Sequence, residues 1–278
     1  MNGLLYLVGT PIGNLGDLSS RAAEILSQVD FIAAEDTRNS QKILFHLGIR
    51  KEMVSYHEHN RALRGPQIVD RLLAGQSCAL ITDAGMPAIS DPGEDLVRLC
   101  GEAGIAVSVV PGPCAAICAL ALSGLPTDRF VFEGFLPVAA SERKKRLDEI
   151  SRENRTVILY EAPHRLLRTL GELAVMGDRR LCIVKELTKI HETVLHTTTL
   201  AAPSLFNGET VRGEFVLVLE GAPKQTESWS DEQIAALLAQ EQQRGASRSE
   251  AVRLVCAQTN LPKNRVYRLA NLAQEKKS

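Results

Sequence analysis

Short apolar runs alternate with amphipathic stretches along the first half of the chain. Four runs have the length and composition of buried strands: GLLYLVGT, DFIAAEDT, SCALITDAG and IAVSVVPGP. Between and after them lie segments with helical periodicity: LSSRAAEILSQV, QKILFHLGI, PQIVDRLLAG, EDLVRLCGEAG and CAAICALALSGL. We expect Ser19 or Ser20 to cap the first helix. This alternation predicts a mostly parallel sheet covered by helices on both faces.

Each predicted strand of this half ends in a distinctive polar or Gly/Pro-rich loop. The loops are GTPIGNLGD, AEDTR, TDAGMPAISDPG and VVPGPCAA. Ligands of such sheets bind at the carboxyl ends of the strands. We therefore expect the four loops to gather at one edge of the sheet and to form a binding site there.

The second half has more strand character and ends in helices. Residues 133–155 indicate a domain junction and a surface helix capped by Ser141. The runs RTVILYEAP, RRLCIVKELT, HETVLHTTTL and GEFVLVLEG then predict a second α/β unit with antiparallel pairs. Three short helices follow, with capping-box patterns at Ser230–Gln233 and Ser247–Glu250. We predict α/β domains over residues 1–122 and 123–222 and a helical module over 223–278.

Composition narrows the class of protein. The chain is 45% hydrophobic and 4% aromatic, so its core must be aliphatic, and its net charge of -1 argues against a wholly basic nucleic-acid binder. Residues 224–278 are different, with nine Lys and Arg against six Asp and Glu. This basic module resembles a helix-turn-helix, although a plain helical cap with a solvated basic face fits the same pattern.

Cysteine usage and hydropathy indicate a cytoplasmic protein. The six cysteines form no CxxC and lie mostly in apolar runs, as reduced core thiols do. No secretory signal or membrane span is recognisable. We predict no metal site, because His57 and His59 lack further ligands.

The glycine-rich loops suggest a cofactor other than a common nucleotide. GTPIGNLGD lacks the Lys-Ser/Thr of a P-loop and the spacing of GxGxxG. TDAGMPAISDPG instead offers backbone amides, small residues and the carboxylate of Asp83. These groups suit a folded ligand with an amino-acid part and a ribose, and S-adenosylmethionine fits that description.

Eight motifs, taken in order, resemble the bacterial RsmI family. They are LYLVGTPIGNLGDLSSRA, AEDTR, SYHEHN, LITDAGMPAISDPG, VVPGPCAAICALALSGLP, FEGFLP, YEAPHR and KELTKIHE. This family belongs to the tetrapyrrole-methylase-like superfamily and methylates the ribose 2'-hydroxyl of cytidine 1402 in the decoding region of 16S rRNA. The resemblance implies S-adenosylmethionine as cofactor, the small ribosomal subunit as partner, a cofactor cleft between two α/β domains, and a homodimer.

The resemblance also implies site residues. The cofactor is expected to contact strand-end loops of the first domain, at Pro11, Asp83, Ala84, Gly85, Pro87, Ile89, Ser90, Ala115 and Ala116. From the second domain we expect Tyr160, Glu161, Gly213 and Glu214 to close over it. The last four positions rest on superfamily analogy.

Charged clusters supply the candidates for catalysis and RNA binding. A ribose hydroxyl needs a positioned base, and we predict Glu186 or Lys185 for this role. Phosphates and neighbouring RNA would be held by Arg38, His57, Arg165, Lys189, Arg265 and Arg268. Each cluster has a plainer interpretation: solvated loop charges around Glu186, structural hydrogen bonds for the histidines, and pairing of Arg38 with Asp36.

Two other functions remain open. The first is methylation of a tetrapyrrole or another small molecule, which would not need a basic helical tail. The second is a non-catalytic ribosome-binding factor that keeps the cofactor fold. The intact glycine and proline turns favour an enzyme.

Overall fold

The computed structural model describes residues 2–206, 210–223, 229–259 and 261–275. The chain divides into two compact units, Met1–Ala222 and Pro223–Ser278. The first unit contains two five-stranded sheets, and the second contains helices. The finer division of the first unit at residue 122 stays a prediction.

The first sheet is wholly parallel. Its strands are β1 (Leu4–Val8), β2 (Phe31–Ala34), β3 (Glu52–Ser55), β4 (Cys78–Ile81) and β5 (Ala106–Val110), in the order β3-β2-β4-β1-β5. The helices of this part are α1 (Ser20–Gln28), α2 (Thr37–His46), α3 (Arg61–Leu73), α4 (Glu94–Glu102) and α5 (Ala115–Leu122), with a 3-10 helix at Leu15–Asp17. This arrangement confirms the predicted parallel sheet.

Burial explains why the central strands form. Every residue of β2 and β4 is buried, because helices cover both faces of the sheet. Ser19 caps α1, since its hydroxyl accepts the Ala22 backbone N–H at 3.1 Å. Asp36 caps α2 in the same way through the Arg38 N–H at 2.9 Å.

The second sheet is mixed. Its strands are β6 (Phe130–Phe135), β7 (Thr156–Glu161), β8 (Arg180–Lys185), β9 (Thr193–Thr198) and β10 (Phe215–Leu219), in the order β6-β7-β10-β8-β9. Only β6 and β7 pair in parallel, and the other neighbours are antiparallel, as predicted. Helices α6 (Ala140–Arg152) and α7 (Leu166–Ala174) and a 3-10 helix at Ala202–Phe206 complete this part.

The sequence patterns missed two strands and misplaced one helix cap. Strands β3 and β6 were not predicted, and both are edge strands that pair on one side only. The prediction that Ser141 caps the surface helix is wrong, because α6 begins at Ala140 and its N-cap is Ala139. The start is set by the next turn, where the Arg143 N–H bonds to the Ala139 carbonyl and the buried Arg143 side chain binds Thr169 and Glu172.

The second unit contains α8 (Asp231–Gln243), α9 (Arg248–Thr259) and α10 (Lys263–Glu275). Their apolar faces meet around Ile234, Val252, Val255 and Val266. The capping box at Ser230 is complete, with both hydrogen bonds to Gln233 present. Residues 224–228, 260 and 276–278 of the predicted basic module lie outside the described residues. In the part of the chain that the structure describes, no helix has the length and apolar content needed to cross a membrane.

Candidate functional site

A cavity of about 370 Å³ opens where the strand ends of the two sheets of the first unit face each other. Its volume falls in the range of small-molecule sites. The first sheet contributes Ile12, Glu35, Asp83, Ala84, Gly85, Met86, Ile89, Asp91, Cys114 and Ala115. The second contributes Phe135, Tyr160, Glu161, Ala162, Pro163, Val184, Leu187, Glu214, Phe215 and Val216.

The strand-end loops of the first sheet converge at this cavity, as predicted. Thr10 and Gly85 exchange two backbone hydrogen bonds, of 2.9 and 3.1 Å, between the loops after β1 and β4. A Cβ atom added to Gly9 would lie 2.6 Å from the Cα of Gly112, so the loops after β1 and β5 touch through their backbones. Glycine is required at this crossing because any side chain would separate the two loops.

The loop after β4 is held in an uncommon conformation. Gly85 has φ of 83°, and the non-glycine residues Ala88 and Ser90 have φ of 66° and 60°. Left-handed conformations of such residues are strained and occur often at functional sites. The curved loop turns Asp83, Gly85 and Ile89 toward the cavity.

Three carboxylates form an acidic wall on the side of the first sheet: Glu35, Asp83 and Asp91. Glu35 accepts the Asp83 backbone N–H at 3.3 Å, and Asn39 donates to Asp83 at 2.9 Å. Within the described residues, none of the three carboxylates forms a salt bridge. The acidic wall is therefore suited to a cationic ligand.

Burial and mutual repulsion change the acidity of this wall. Burial raises the pKa of Asp91 to about 6, and the charges of Glu35 and Asp83 add to the effect. Burial also raises the pKa of Glu35, partly offset by the hydrogen bond from Asp83. Carboxyl groups in a cleft with pKa values raised by burial mark a candidate functional site.

The opposite wall is aromatic and is tied to α5. The Tyr160 hydroxyl accepts the backbone N–H of Ala116, in the first turn of α5, at 3.1 Å. Its ring packs against Phe132 and Phe135, with centroid distances of 5.0 and 5.6 Å. Burial raises the pKa of Tyr160 to about 12, so the phenol stays protonated at neutral pH.

Glu161 lines the same wall and belongs to a buried polar network. Its carboxylate accepts the Ala162 N–H at 2.9 Å and the Thr169 hydroxyl, and it pairs with Arg165 at 3.3 Å. Arg165 also donates to the carbonyl of Leu136. Because every oxygen of Glu161 has a partner inside the protein, this residue positions the ends of β6 and β7.

The two predicted catalytic residues lie beside the cavity and are not part of its lining. Glu186 accepts hydrogen bonds from Lys189 at 3.0 Å and from the Glu214 N–H at 2.9 Å. Burial raises the pKa of Glu186, but these bonds outweigh it and leave the pKa below its usual value. Lys185 ends β8, and its neighbours Val184 and Leu187 line the cavity. Both assignments stay predictions.

The structure brings together most of the predicted cofactor contacts. Eight of them line the cavity: Asp83, Ala84, Gly85, Ile89, Ala115, Tyr160, Glu161 and Glu214. Ala116 is adjacent through its bond to Tyr160. Pro11, Pro87 and Ser90 lie in the same loops without lining it, and Gly213 lies against the Glu186 side chain.

The predicted RNA-binding residues have different local surroundings in the two units. Arg38 is exposed and pairs with Asp36 at 2.7 Å, as the plainer interpretation had it. Lys189 bridges Glu186 and Glu214, each at 3.0 Å. His57 lies 3.2 Å from the Asn60 amide. In the second unit, Arg265 pairs with Asp231 at 2.9 Å and Arg268 is exposed.

Sequence reasoning left several lining residues unassigned, above all Asp91 and Phe135. Asp91 stands in the same TDAGMPAISDPG loop as Asp83, and Phe135 stands in the FEGFLP motif. Their motifs were recognised, but only the fold shows which side chains of each motif face the cavity. In the described residues, no group of three His, Cys, Asp or Glu side chains is arranged to bind a metal ion.

Comparisons with known proteins agree with this fold. The family model described as Tetrapyrrole (Corrin/Porphyrin) Methylases matches residues 4–203. Among solved structures, diphthine synthase superimposes with a TM-score of 0.60 at 14% identity, covering 78% of this chain and 90% of that one. Cobalt precorrin-4 methyltransferase gives a TM-score of 0.58 at 17% identity, covering 78% and 94%. Fold and family model together define a protein of the tetrapyrrole methylase family.

Curated relatives define the family more narrowly. The ribosomal RNA small subunit methyltransferase I of Synechocystis sp. is 48% identical over 271 residues, which covers 96% of this chain and 97% of that protein. The protein of the same name from Bacillus subtilis is 40% identical over 278 residues, covering 98% and 95%. The chain belongs to the family of ribosomal RNA small subunit methyltransferase I.

Proposed function

We propose that the chain methylates the ribose 2'-hydroxyl of cytidine 1402 in 16S rRNA, with S-adenosylmethionine as methyl donor. The acidic wall of the cavity carries this proposal. It places Glu35, Asp83 and Asp91 without cationic partners around a space of about 370 Å³, which suits a ligand with ammonium and sulfonium charges. The near full-length match to small-subunit rRNA methyltransferases supports the choice of RNA as substrate.

The backbone of the loop after β4 supports this proposal. At Gly85 a Cβ atom would reach 3.4 Å from Ile12, and its φ of 83° disfavours any side chain. The bare backbone thus leaves room for a ligand to approach closely. We assign the cofactor contacts to Pro11, Asp83, Ala84, Gly85, Pro87, Ile89, Ser90, Ala115, Ala116, Tyr160, Glu161, Gly213 and Glu214.

When bound, S-adenosylmethionine supplies a methyl group on a sulfonium leaving group. The protein's contribution is then alignment of the attacking oxygen and removal of its proton. We propose Glu186 or Lys185 for the proton transfer, although the salt bridge to Lys189 weakens Glu186 as a base. Phosphate contacts are assigned to Arg38, His57, Arg165, Lys189, Arg265 and Arg268.

We also propose that the chain acts in the cytoplasm as a homodimer. This proposal is consistent with exposed apolar residues on the first unit: Val109 on edge strand β5 and Ile117 and Leu122 on α5 are between 41% and 50% exposed. Exposed apolar side chains of this size are available for burial against a second subunit. The mass of the full chain in solution, measured by light scattering, tests this assignment.

Methyl transfer to unmodified small ribosomal subunits tests the function. Subunits are incubated with the chain and methyl-labelled S-adenosylmethionine, and the RNA is digested to nucleosides for mass analysis. Label in 2'-O-methylcytidine is the expected result. Cofactor binding without any label in RNA would instead favour a tetrapyrrole or another small molecule as substrate, and absence of cofactor binding would favour a ribosome-binding factor.

A further inference from the structure

Phe135 is an unusual member of the cavity wall because its ring stays accessible. Its side chain is 54% exposed, whereas Phe215 in the same wall is 2% exposed. Phe135 differs from other exposed aromatic residues such as Phe45, because it lies in the cavity lining. Its ring is therefore available to a ligand in the cavity.

A β-bulge in strand β6 orients Phe135 toward the cavity. The pairing of β6 with β7 shifts between Phe132 and Gly134, so that one extra residue, Glu133, is inserted. Residues three apart on a regular strand face opposite sides. Here both Phe132 and Phe135 contact the ring of Tyr160. The reason is that the extra residue shifts the alternation of side chains along β6 by one position. Bulges that re-aim a side chain in this way are frequent next to active sites.

The backbone around Phe135 is held on both sides. Gly134 has φ of 60°, and a Cβ atom at this position would lie 3.0 Å from the Ser90 hydroxyl of the β4 loop. Leu136, on the other side, accepts a hydrogen bond from Arg165 through its carbonyl. Tyr160, which supports the ring itself, is anchored to α5 by the Ala116 N–H. The ring of Phe135 is therefore packed against Tyr160 and remains accessible to solvent.

The negative charge of the site determines which part of a nucleotide can lie against the ring of Phe135. The unpaired carboxylates Glu35, Asp83 and Asp91 line the first-sheet side of the same cavity and repel phosphate groups. A nucleotide can enter this space more readily with its neutral, planar base than with its backbone. Enzymes that modify a single nucleotide commonly extrude it and hold the base against aromatic side chains.

We propose that Phe135 is the stacking platform for the base of the target nucleotide, which it holds while the ribose faces the methyl donor. This inference rests on the proposed function, because it assumes an RNA substrate. Phe135 acts here as a positioning and specificity-determining residue that contacts the substrate and takes no part in proton transfer.

The test compares Phe135→Leu with Phe135→Tyr on unmodified small ribosomal subunits. Leucine keeps an apolar side chain of similar size but has no π-face, whereas tyrosine keeps the ring. We expect Phe135→Leu to lose about 5- to 150-fold in kcat/KM for subunits, the range covered by one base–aromatic stack. Phe135→Tyr should stay within a few-fold of the wild type. Calorimetry with S-adenosylmethionine alone should give the same affinity for all three proteins.

Phe45→Leu is the matched control, because Phe45 is 86% exposed on α2 and does not line the cavity. An active wild type with undiminished activity in Phe135→Leu would overturn the inference and leave the proposed function intact. Equal weakening of S-adenosylmethionine binding would also overturn it, since the ring would then serve the cofactor. A wild type that labels no RNA would overturn both.

Discussion

Asp91 offers a direct test of the acidic wall, because its environment makes ionisation unfavourable in the absence of a cation. Burial raises its pKa from 3.8 to about 6. A carboxyl with a raised pKa in the folded state destabilises the fold at any pH where it must ionise. Replacing it by the uncharged Asn should therefore stabilise the chain when no cofactor is present.

The size and pH dependence of this effect follow from the two pKa values. A shift of about two units corresponds to about 3 kcal/mol, and partial solvent exposure reduces this to about 1–2 kcal/mol. Below pH 3.8 Asp91 is protonated in both states and carries no penalty. The free-energy penalty of ionising Asp91 grows as the pH rises from 3.8 to about 6, and it is constant above that. The advantage of Asp91→Asn should thus be full at pH 8 and about half as large at pH 5.

Urea unfolding of the cofactor-free protein at pH 5 and pH 8 measures this difference. Asp30→Asn is a control of opposite sign, because the Ser77 N–H and hydroxyl bind Asp30 at 2.6 and 2.8 Å and hold the pKa of its carboxyl below the usual value. That variant should be destabilised at pH 8. Asp91→Asn should also weaken S-adenosylmethionine binding about 10-fold or more through loss of a charged partner. Equal stability of Asp91→Asn and the wild type at pH 8 would refute the idea of an uncompensated carboxylate.

Three further predictions concern the loop, the base and the C-terminal unit. Gly85→Leu should abolish S-adenosylmethionine binding in calorimetry, because φ of 83° strains any side chain and a leucine at this lining position would occupy cavity space; unchanged affinity would show that the loop does not hold the cofactor. Glu186→Gln should lower kcat on ribosomal subunits about 10²-fold or more if Glu186 is the base, with little change in cofactor affinity; a loss below about threefold would remove it as a candidate. Deletion of residues 224–278 should weaken binding to small subunits and make it less sensitive to salt, while cofactor affinity stays the same; parallel loss of both would contradict the separation of roles.

The elements that could be predicted from sequence were those that the core specifies locally. Strands β2 and β4 are buried on both faces and read as continuous apolar runs, and Ser19 is a recognisable cap. Strands β3 and β6 escaped notice because their sequences, EMVS and FVFEGF, carry a weaker strand pattern than the predicted edge strands β5 and β9. The bulge in β6 also breaks the alternation by which a strand is recognised.

The sequence by itself determined which loops meet at the cavity. Polar loops after parallel strands must gather at one edge of the sheet, and the glycines of TDAGMPAISDPG and VVPGP imply close approach of a backbone or ligand. Only the tertiary structure decided which side chains face the cavity and which are engaged elsewhere. In the fold, Asp91 and Phe135 line the cavity, whereas Glu186 and Lys189 form a salt bridge with each other. The physical reason is that burial, pairing and side-chain direction depend on residues distant in the chain, such as Tyr160 and Ala116, which meet only in the fold.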